Sequence, residues 1–163
     1  MLERFVRELT DPNKPLLATT LKCHICIEEG INRVLNAYFP NPLPLKALQL
    51  GASQKLLLLQ SILPNCNKDR IVLVFDKLNQ LRNGLAHSFD SNKVHERLAG
   101  LVAAYREHYL PQLPAHERTL PDTLDEQIQL ISAHALGDLC GLEAELQQFR
   151  EQFKQFNEAK SKP

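Results

Sequence analysis

KDRIVLVFDKLNQLRNGLAH, residues 68–87, is the stretch of sequence that decides the fold. Its opening run, Ile71–Phe75, has the β-branched and aromatic composition that is typical of a strand. The apolar residues nevertheless continue in steps of three and four, which places them on one face of a helix. They are Ile71, Val74, Phe75, Leu78, Leu81 and Leu85. The sequence therefore predicts an amphipathic helix from Lys68 to about Leu85.

Helical spacing extends along the rest of the chain. It predicts a short helix over 2–9, a long one over 15–38, a third over 45–62 and a fifth over 92–109. Prolines in the loop FPNPLP, residues 39–44, end the long helix. We therefore expect an all-α, up-and-down helical bundle with its core in residues 15–109. The apolar stripe expected for the long helix includes Leu17, Leu21, Ile25, Ile31, Val34 and Leu35.

The C-terminal third predicts one very long helix. Residues 110–122, LPQLPAHERTLPD, form a proline-rich connection, and the helix is expected over about 123–159. Thr123 and Glu126 have the spacing of a capping box. From Leu139 to Phe156 the apolar residues alternate steps of three and four, the heptad spacing. Two interpretations stay open: the whole helix packs along its own bundle, or its end meets a second subunit.

Composition favours one globular domain spanning residues 1–163. The chain has 44% hydrophobic residues, which is enough for a sizeable core. Nineteen basic residues balance nineteen acidic ones, which argues against attachment to long nucleic acid by bulk charge. Residues 68–97 alone hold six basic and four acidic residues, a modest local attraction for phosphate.

The N-terminal sequence MLERFVRELTDPNK alternates charged and apolar residues and lacks the apolar core of a secretory signal. The longest apolar runs are too short to span a bilayer. We therefore expect a cytoplasmic protein without membrane association, whose four cysteines are reduced. Cys23-His24-x-Cys26 supplies only half of a four-ligand zinc site, so we expect neither a metal nor another cofactor.

RNGLAH, residues 82–87, places a cation, an amide and an imidazole close together. Arginine can neutralise a phosphate with a planar fork of donors, and histidine can exchange a proton near neutral pH. These groups are the minimum set for metal-free cleavage of an RNA phosphodiester by its own 2′-hydroxyl. A structural interpretation stays open beside it: Arg82 pairs with a carboxylate, while Asn83 and His87 cap the end of the helix.

The spacing within this motif limits its geometry. Arg82 and His87 are five positions apart, which is roughly 140° around a regular helix, so they would not share a face. Asn83 and His87 are four apart and would. Gly84 is a weak helix residue, and we expect that it could loosen the last turn and bring Arg82 toward His87.

Arg82, Asn83 and His87 resemble the signature of the HEPN superfamily, in which an arginine and a polar residue precede a histidine late in a helix. The resemblance is close over residues 68–90 and looser over 15–90. It implies a metal-independent endoribonuclease whose catalytic residues are these three. It also implies that Glu28 or Glu29, from the helix over 15–38, orients Arg82 or His87. A solvated helix face is the other interpretation of these two glutamates.

The resemblance also implies partners. Two copies of the motif would face each other across the cleft of a homodimer that binds RNA. The cellular role would be that of a toxin or defence effector, held silent by an antitoxin or another regulatory protein. The alternative function is a non-catalytic member of the same fold, which binds nucleotides or regulates by protein contact, as a transcriptional co-regulator does.

Overall fold

The computed structural model of the chain describes residues 15–63, 65–87 and 91–160. Within these ranges the chain forms six α-helices and no strand, so the all-α prediction is confirmed. The short helix expected over 2–9 lies outside the described residues. The helices are α1 Pro15–Tyr38, α2 Leu43–Ala47, α3 Ala52–Ile62, α4 Asn65–His87, α5 Ser91–His108 and α6 Leu124–Lys160.

Helix α1 lies at the centre of an up-and-down bundle. It packs along α6 on one side and against α3 and α4 on another, while α5 packs mainly on α4. Each helix turns its apolar stripe inward, and burial of these side chains is the main force that holds the bundle together. The hydrophobic residues with no exposed area among those described are Ile27, Ile31, Val34, Leu59, Val74, Phe75, Leu78, Leu81, Leu101, Tyr105, Ile128, Ile131 and Ala135.

The buried stripe of α1 differs from the predicted one. Ile25, expected inside, is 63% exposed, whereas Thr20 and His24 are buried. Two polar residues occupy inward positions because each finds a hydrogen-bond partner there. The hydroxyl of Thr20 donates to the carbonyl of Leu16 at 2.7 Å. His24 bonds to Asn79 of α4.

The third predicted helix, over 45–62, is wrong as a single element. The structure has two helices, α2 and α3, separated by residues 48–51. Gln49 has φ 46°, a left-handed conformation that breaks the helical ladder. Gly51 then adopts an extended conformation at the start of α3, and its N–H donates to the side chain of Gln54 at 3.0 Å. The apolar spacing did not indicate this break, because leucines occur both before and after it.

Helices α1 and α6 come unusually close at Gly30. A Cβ at this position would lie 3.0 Å from Cδ1 of Leu139, so the missing side chain is what permits the contact. Toward the end of α1, Arg33 and Glu143 form an ion pair at 2.5 Å. Arg150 donates to the carbonyl of Ala37 at 3.1 Å. Helix α6 is thus held along α1 as far as Arg150.

The connection between α5 and α6 is ordered by short turns, Leu110–Gln112 and Ala115–Glu117. Arg118 donates to the carbonyls of Leu113 and Pro111. At the start of α6 the hydroxyl of Thr123 lies 3.4 Å from the backbone N–H of Glu126 and donates to its carboxylate at 2.6 Å. Thr123 therefore caps the long helix, as its spacing predicted.

Helix α6 has 37 residues, about 55 Å at the usual rise. Its first half belongs to the core, and Leu139 is the last buried apolar residue along it. Leu142 and Leu146 are half-buried, and Phe149, Phe153 and Phe156 are exposed. None of the helices in the described part of the chain combines the length and the apolar character that a membrane crossing requires.

Candidate active site

Helix α4 carries the candidate site because its apolar stripe fixes which way it faces. Ile71, Val74 and Leu78 are buried in the core. That anchoring sets the direction of every polar side chain on the same helix, since residues three and four apart lie on one face. Asn79 and Arg82 follow the side of α4 that packs toward α1, and both are half-buried.

Arg82 and Asn83 contact each other directly. The guanidinium donates from Nη1 to Oδ1 of Asn83 at 2.6 Å. Among the described residues, the guanidinium of Arg82 forms no ion pair with a carboxylate. A guanidinium has five N–H donors, so the bond to Asn83 leaves capacity for an anion.

Gly84 does not loosen the helix. Helix α4 continues without interruption through Gly84 to His87. Gly84 instead makes room for Arg97 of α5, because a Cβ at this position would lie 3.0 Å from Cδ of Arg97 and closer still to Nη1. Arg97 uses that space to donate to the carbonyl of Gln80 at 3.0 Å. The missing side chain at Gly84 therefore allows Arg97 to link α5 to α4.

His87 is the last residue of α4, and its side chain lies outside the described part of the structure. Because the helix stays regular, the positions of Arg82 and His87 remain roughly 140° apart around its axis. Asn83 and His87 occupy successive turns of one face. The positions of Arg82 and His87 therefore lie on different faces of α4.

The structure adds a residue that the motif does not contain, His24 of α1. It is 1% exposed and stacks on Phe75, with ring centroids 5.1 Å apart. Its Nε2 lies 3.2 Å from Oδ1 of Asn79, which makes Nε2–H the donor. Asn79 is one turn before Arg82 and Asn83 on α4. The sequence signal for His24 was its place between Thr20 and Ile27, in the inward stripe of α1.

The two glutamates singled out by the resemblance lie in different surroundings. Glu28 approaches Nδ1 of His24 to 3.8 Å and forms a 2.7 Å ion pair with Lys55 of α3. Glu29 is exposed, accepts a bond from Asn32 at 3.4 Å and lines a cavity of about 350 Å³ between α1 and the α2–α3 link. Glu28 therefore lies beside His24, whereas Glu29 lies at the cavity, which Lys55 also lines.

Burial lowers the pKa of the His24 imidazole below its ordinary value of 6.5, and the positive charge of Arg82 lowers it further. The bond to Asn79 and the carboxylate of Glu28 act in the opposite direction but do not overcome these two effects. His24 is therefore neutral at pH 7 and sits in the field of Arg82. His24, Glu28, Lys55 and Asn79 form a polar cluster where α1 meets α3 and α4.

A metal-binding arrangement of three or more His, Cys, Asp and Glu side chains does not occur among the described residues. Cys23 is half-buried and Cys26 exposed, and both are free thiols. His24 lies between them in sequence but is turned into the core, so the three do not converge on one point. No protein family, curated protein or solved structure matches this chain.

Proposed function

We propose that this protein is a metal-independent endoribonuclease of HEPN type, in which the 2′-hydroxyl of RNA attacks the adjacent phosphate. The observation that supports it best is the Arg82–Asn83 contact at 2.6 Å. It holds a guanidinium on the α4 segment that also carries His87, with no carboxylate of the described residues neutralising it. A guanidinium held in this way is suited to bind a phosphate.

Each of the three residues has a role in this reaction. His87 takes the proton from the 2′-hydroxyl as the 2′-oxygen bonds to phosphorus, or it gives a proton to the departing 5′-oxygen. Arg82 stabilises the negative charge that builds up on the phosphorus centre. Asn83 orients Arg82. The products are a 2′,3′-cyclic phosphate and a 5′-hydroxyl end.

Because α4 is regular through the motif, we favour a site that is formed by residues of two chains. One copy does not present Arg82 and His87 on one face, and in-line transfer needs one group on the attacking oxygen and another on the leaving oxygen. A two-fold axis through the motif-bearing face supplies both from identical residues. It also gathers two arginines on one phosphate, which offsets the neutral overall charge.

His24 and Glu28 act as positioning residues in this proposal. The His24–Asn79 bond fixes α4 against α1 one turn before Arg82, and the ion pair of Glu28 with Lys55 fixes α3 against α1 one turn after His24. Neither group needs to touch RNA, because His24 is buried.

Cleavage of single-stranded RNA by the purified protein tests this function. We expect Arg82→Ala and His87→Ala each to lower the rate by about 10²-fold or more, since a positioned acid–base group contributes at least that much. Chelators should leave the rate unchanged. Arg106→Ala and His116→Ala, which remove exposed residues of the same types, are the matched controls. Cleavage that survives both motif substitutions contradicts the proposal.

The cellular role that goes with this chemistry is a toxin or defence effector restrained by a protein partner. The alternative is a non-catalytic helical module that acts by protein contact, and the exposed phenylalanines of α6 favour it. Overproduction in a bacterial host separates the two. Growth arrest that requires Arg82 and His87 supports the nuclease. Growth arrest that persists when both residues are replaced, or no growth arrest at all, supports the binding module.

A further inference from the structure

The cavity of about 350 Å³ between α1 and the α2–α3 link has the features of a ligand site, and we call it the link cavity. Its polar walls come from Glu29, Asn32 and Asn36 of α1, Gln49 of the link and Lys55 of α3. Ligand sites enclose roughly 300–1,000 Å³ and combine apolar walls with a few polar groups. The link cavity lies at the small end of this range, which suits a molecule of the size of an amino acid.

The break between α2 and α3 supplies the apolar part of the link cavity. Leu45 of α2 and Leu50, directly before α3, line it on either side of the left-handed Gln49. Both leucines are half-buried, and Leu35 of α1, which also lines the cavity, is buried. Together the three leucines form an apolar surface that an aliphatic side chain can cover.

The α1 wall of the cavity carries a carboxylate that forms no ion pair among the described residues. Glu29 is exposed and accepts a hydrogen bond there only from the amide of Asn32, at the long distance of 3.4 Å. Arg33, four residues further along α1, pairs with Glu143. Asn36 lies on the same face as Glu29, and its side-chain amide has no hydrogen-bond partner within the described ranges. This wall therefore offers acceptors to an ammonium group.

The α3 wall carries the opposite charge. The ammonium of Lys55 donates to Glu28 at 2.7 Å, and because an ammonium has three N–H donors, two remain for another acceptor. Helix α3 begins just after Leu50, and its first turn holds no acidic residue. The positive end of the helix dipole therefore adds to the charge of Lys55. This wall favours a carboxylate.

We propose that the link cavity binds a free α-amino acid with an aliphatic side chain. The ammonium of the ligand bonds to Glu29, its carboxylate bonds to Lys55, and its side chain packs on the three leucines. A zwitterion matches both charged walls, whereas a nucleotide, with several negative charges and no ammonium, would place like charge against Glu29. Binding needs neither the motif nor RNA, so this inference goes beyond the proposed function.

Isothermal titration calorimetry of the whole chain with L-leucine, at neutral pH and without RNA, tests the site. We expect saturable binding of one molecule per chain. Two analogues should each bind at least about tenfold more weakly, since each loses one charge-assisted hydrogen bond. They are 4-methylpentanoate, which lacks the ammonium, and 3-methylbutylamine, which lacks the carboxylate. Glycine, without a side chain to cover the leucines, should also bind more weakly.

A pair of variants locates the binding. Glu29→Gln should weaken the binding of L-leucine about tenfold or more, and because Glu29 is exposed, circular dichroism should show unchanged helicity. Glu145→Gln is the matched control, since it removes an exposed glutamate of α6 that does not line the cavity, and it should bind L-leucine as the wild type does.

Three results would overturn the proposal. They are the absence of saturable binding at millimolar L-leucine, an analogue that binds as tightly as L-leucine, and a Glu29→Gln variant with unchanged affinity. None of these results bears on RNA cleavage, so failure of the cavity proposal and failure of the nuclease proposal are distinguishable.

Discussion

Replacing Gly84 by alanine should leave the free energy of unfolding almost unchanged, although alanine is the better helix residue. The substitution adds about 1 kcal/mol of helix propensity to α4. The new Cβ, however, occupies the space of Arg97, whose Cδ and Cζ lie 3.0 and 3.1 Å from that point. The guanidinium must then leave the carbonyl of Gln80, which it contacts at 3.0 Å. Losing this exposed hydrogen bond costs about 1 kcal/mol, so the two effects nearly cancel.

A double-mutant cycle isolates the two effects. In an Arg97→Ala background the bond to Gln80 is already gone, so Gly84→Ala should stabilise the protein by about 1 kcal/mol. Urea unfolding followed by circular dichroism measures all four proteins, and the slope with denaturant should stay constant. The coupling energy between the two positions is then about 1 kcal/mol.

Two results would refute this account of Gly84. Equal stabilisation in both backgrounds would mean that Arg97 does not need the space that the glycine leaves. Strong destabilisation in both backgrounds would mean that α4 requires a flexible residue at this position, as a hinge near the motif would.

Three further predictions concern stability. Phe75→Ala should lower the free energy of unfolding by about 3–5 kcal/mol, because the ring is fully buried; a chemical denaturation curve measures it. The folded protein should lose stability as pH falls below 6.5, since the lowered pKa of His24 lets the unfolded chain take up the proton first. When unfolding is compared at two pH values, the His24→Gln variant should lose less stability on acidification than the wild type, whereas His116→Gln should lose as much. Thr123→Ala should cost about 1 kcal/mol by removing the cap of α6, whereas Thr119→Ala in the connection should cost less in the same melt.

The apolar spacing predicted most of the helices because each helix buries one regular stripe. Ile71, Val74 and Leu78 showed the face of α4 correctly, although Ile71–Phe75 has a strand-like composition. The same reasoning missed the break before α3. There the backbone of Gln49 has a left-handed conformation. Neither the leucines around Gln49 nor the glutamine side chain itself indicates such a conformation.

The side chains that pack near the motif could not be predicted from the sequence as well as the helices could. His24 and Asn79 are 55 residues apart, and periodicity shows that a residue points inward without showing what it meets there. The apolar spacing predicts Ile25 in the inward stripe of α1, whereas the structure buries His24 and exposes Ile25. A buried histidine is stable there only because α4 supplies Asn79, a contact that exists only once both helices have packed.

The chemistry of the RNA ends tests the central proposal most directly. Products formed by the purified protein from a defined single-stranded RNA can be weighed by mass spectrometry, beside a substrate with 2′-deoxy sugars throughout. Attack by the 2′-hydroxyl predicts fragments that end in a 2′,3′-cyclic phosphate, 5′-hydroxyl partners and no cleavage of the deoxy substrate. Fragments with 5′-phosphate ends, or cleavage of the deoxy substrate, would contradict the role proposed for Arg82, Asn83 and His87.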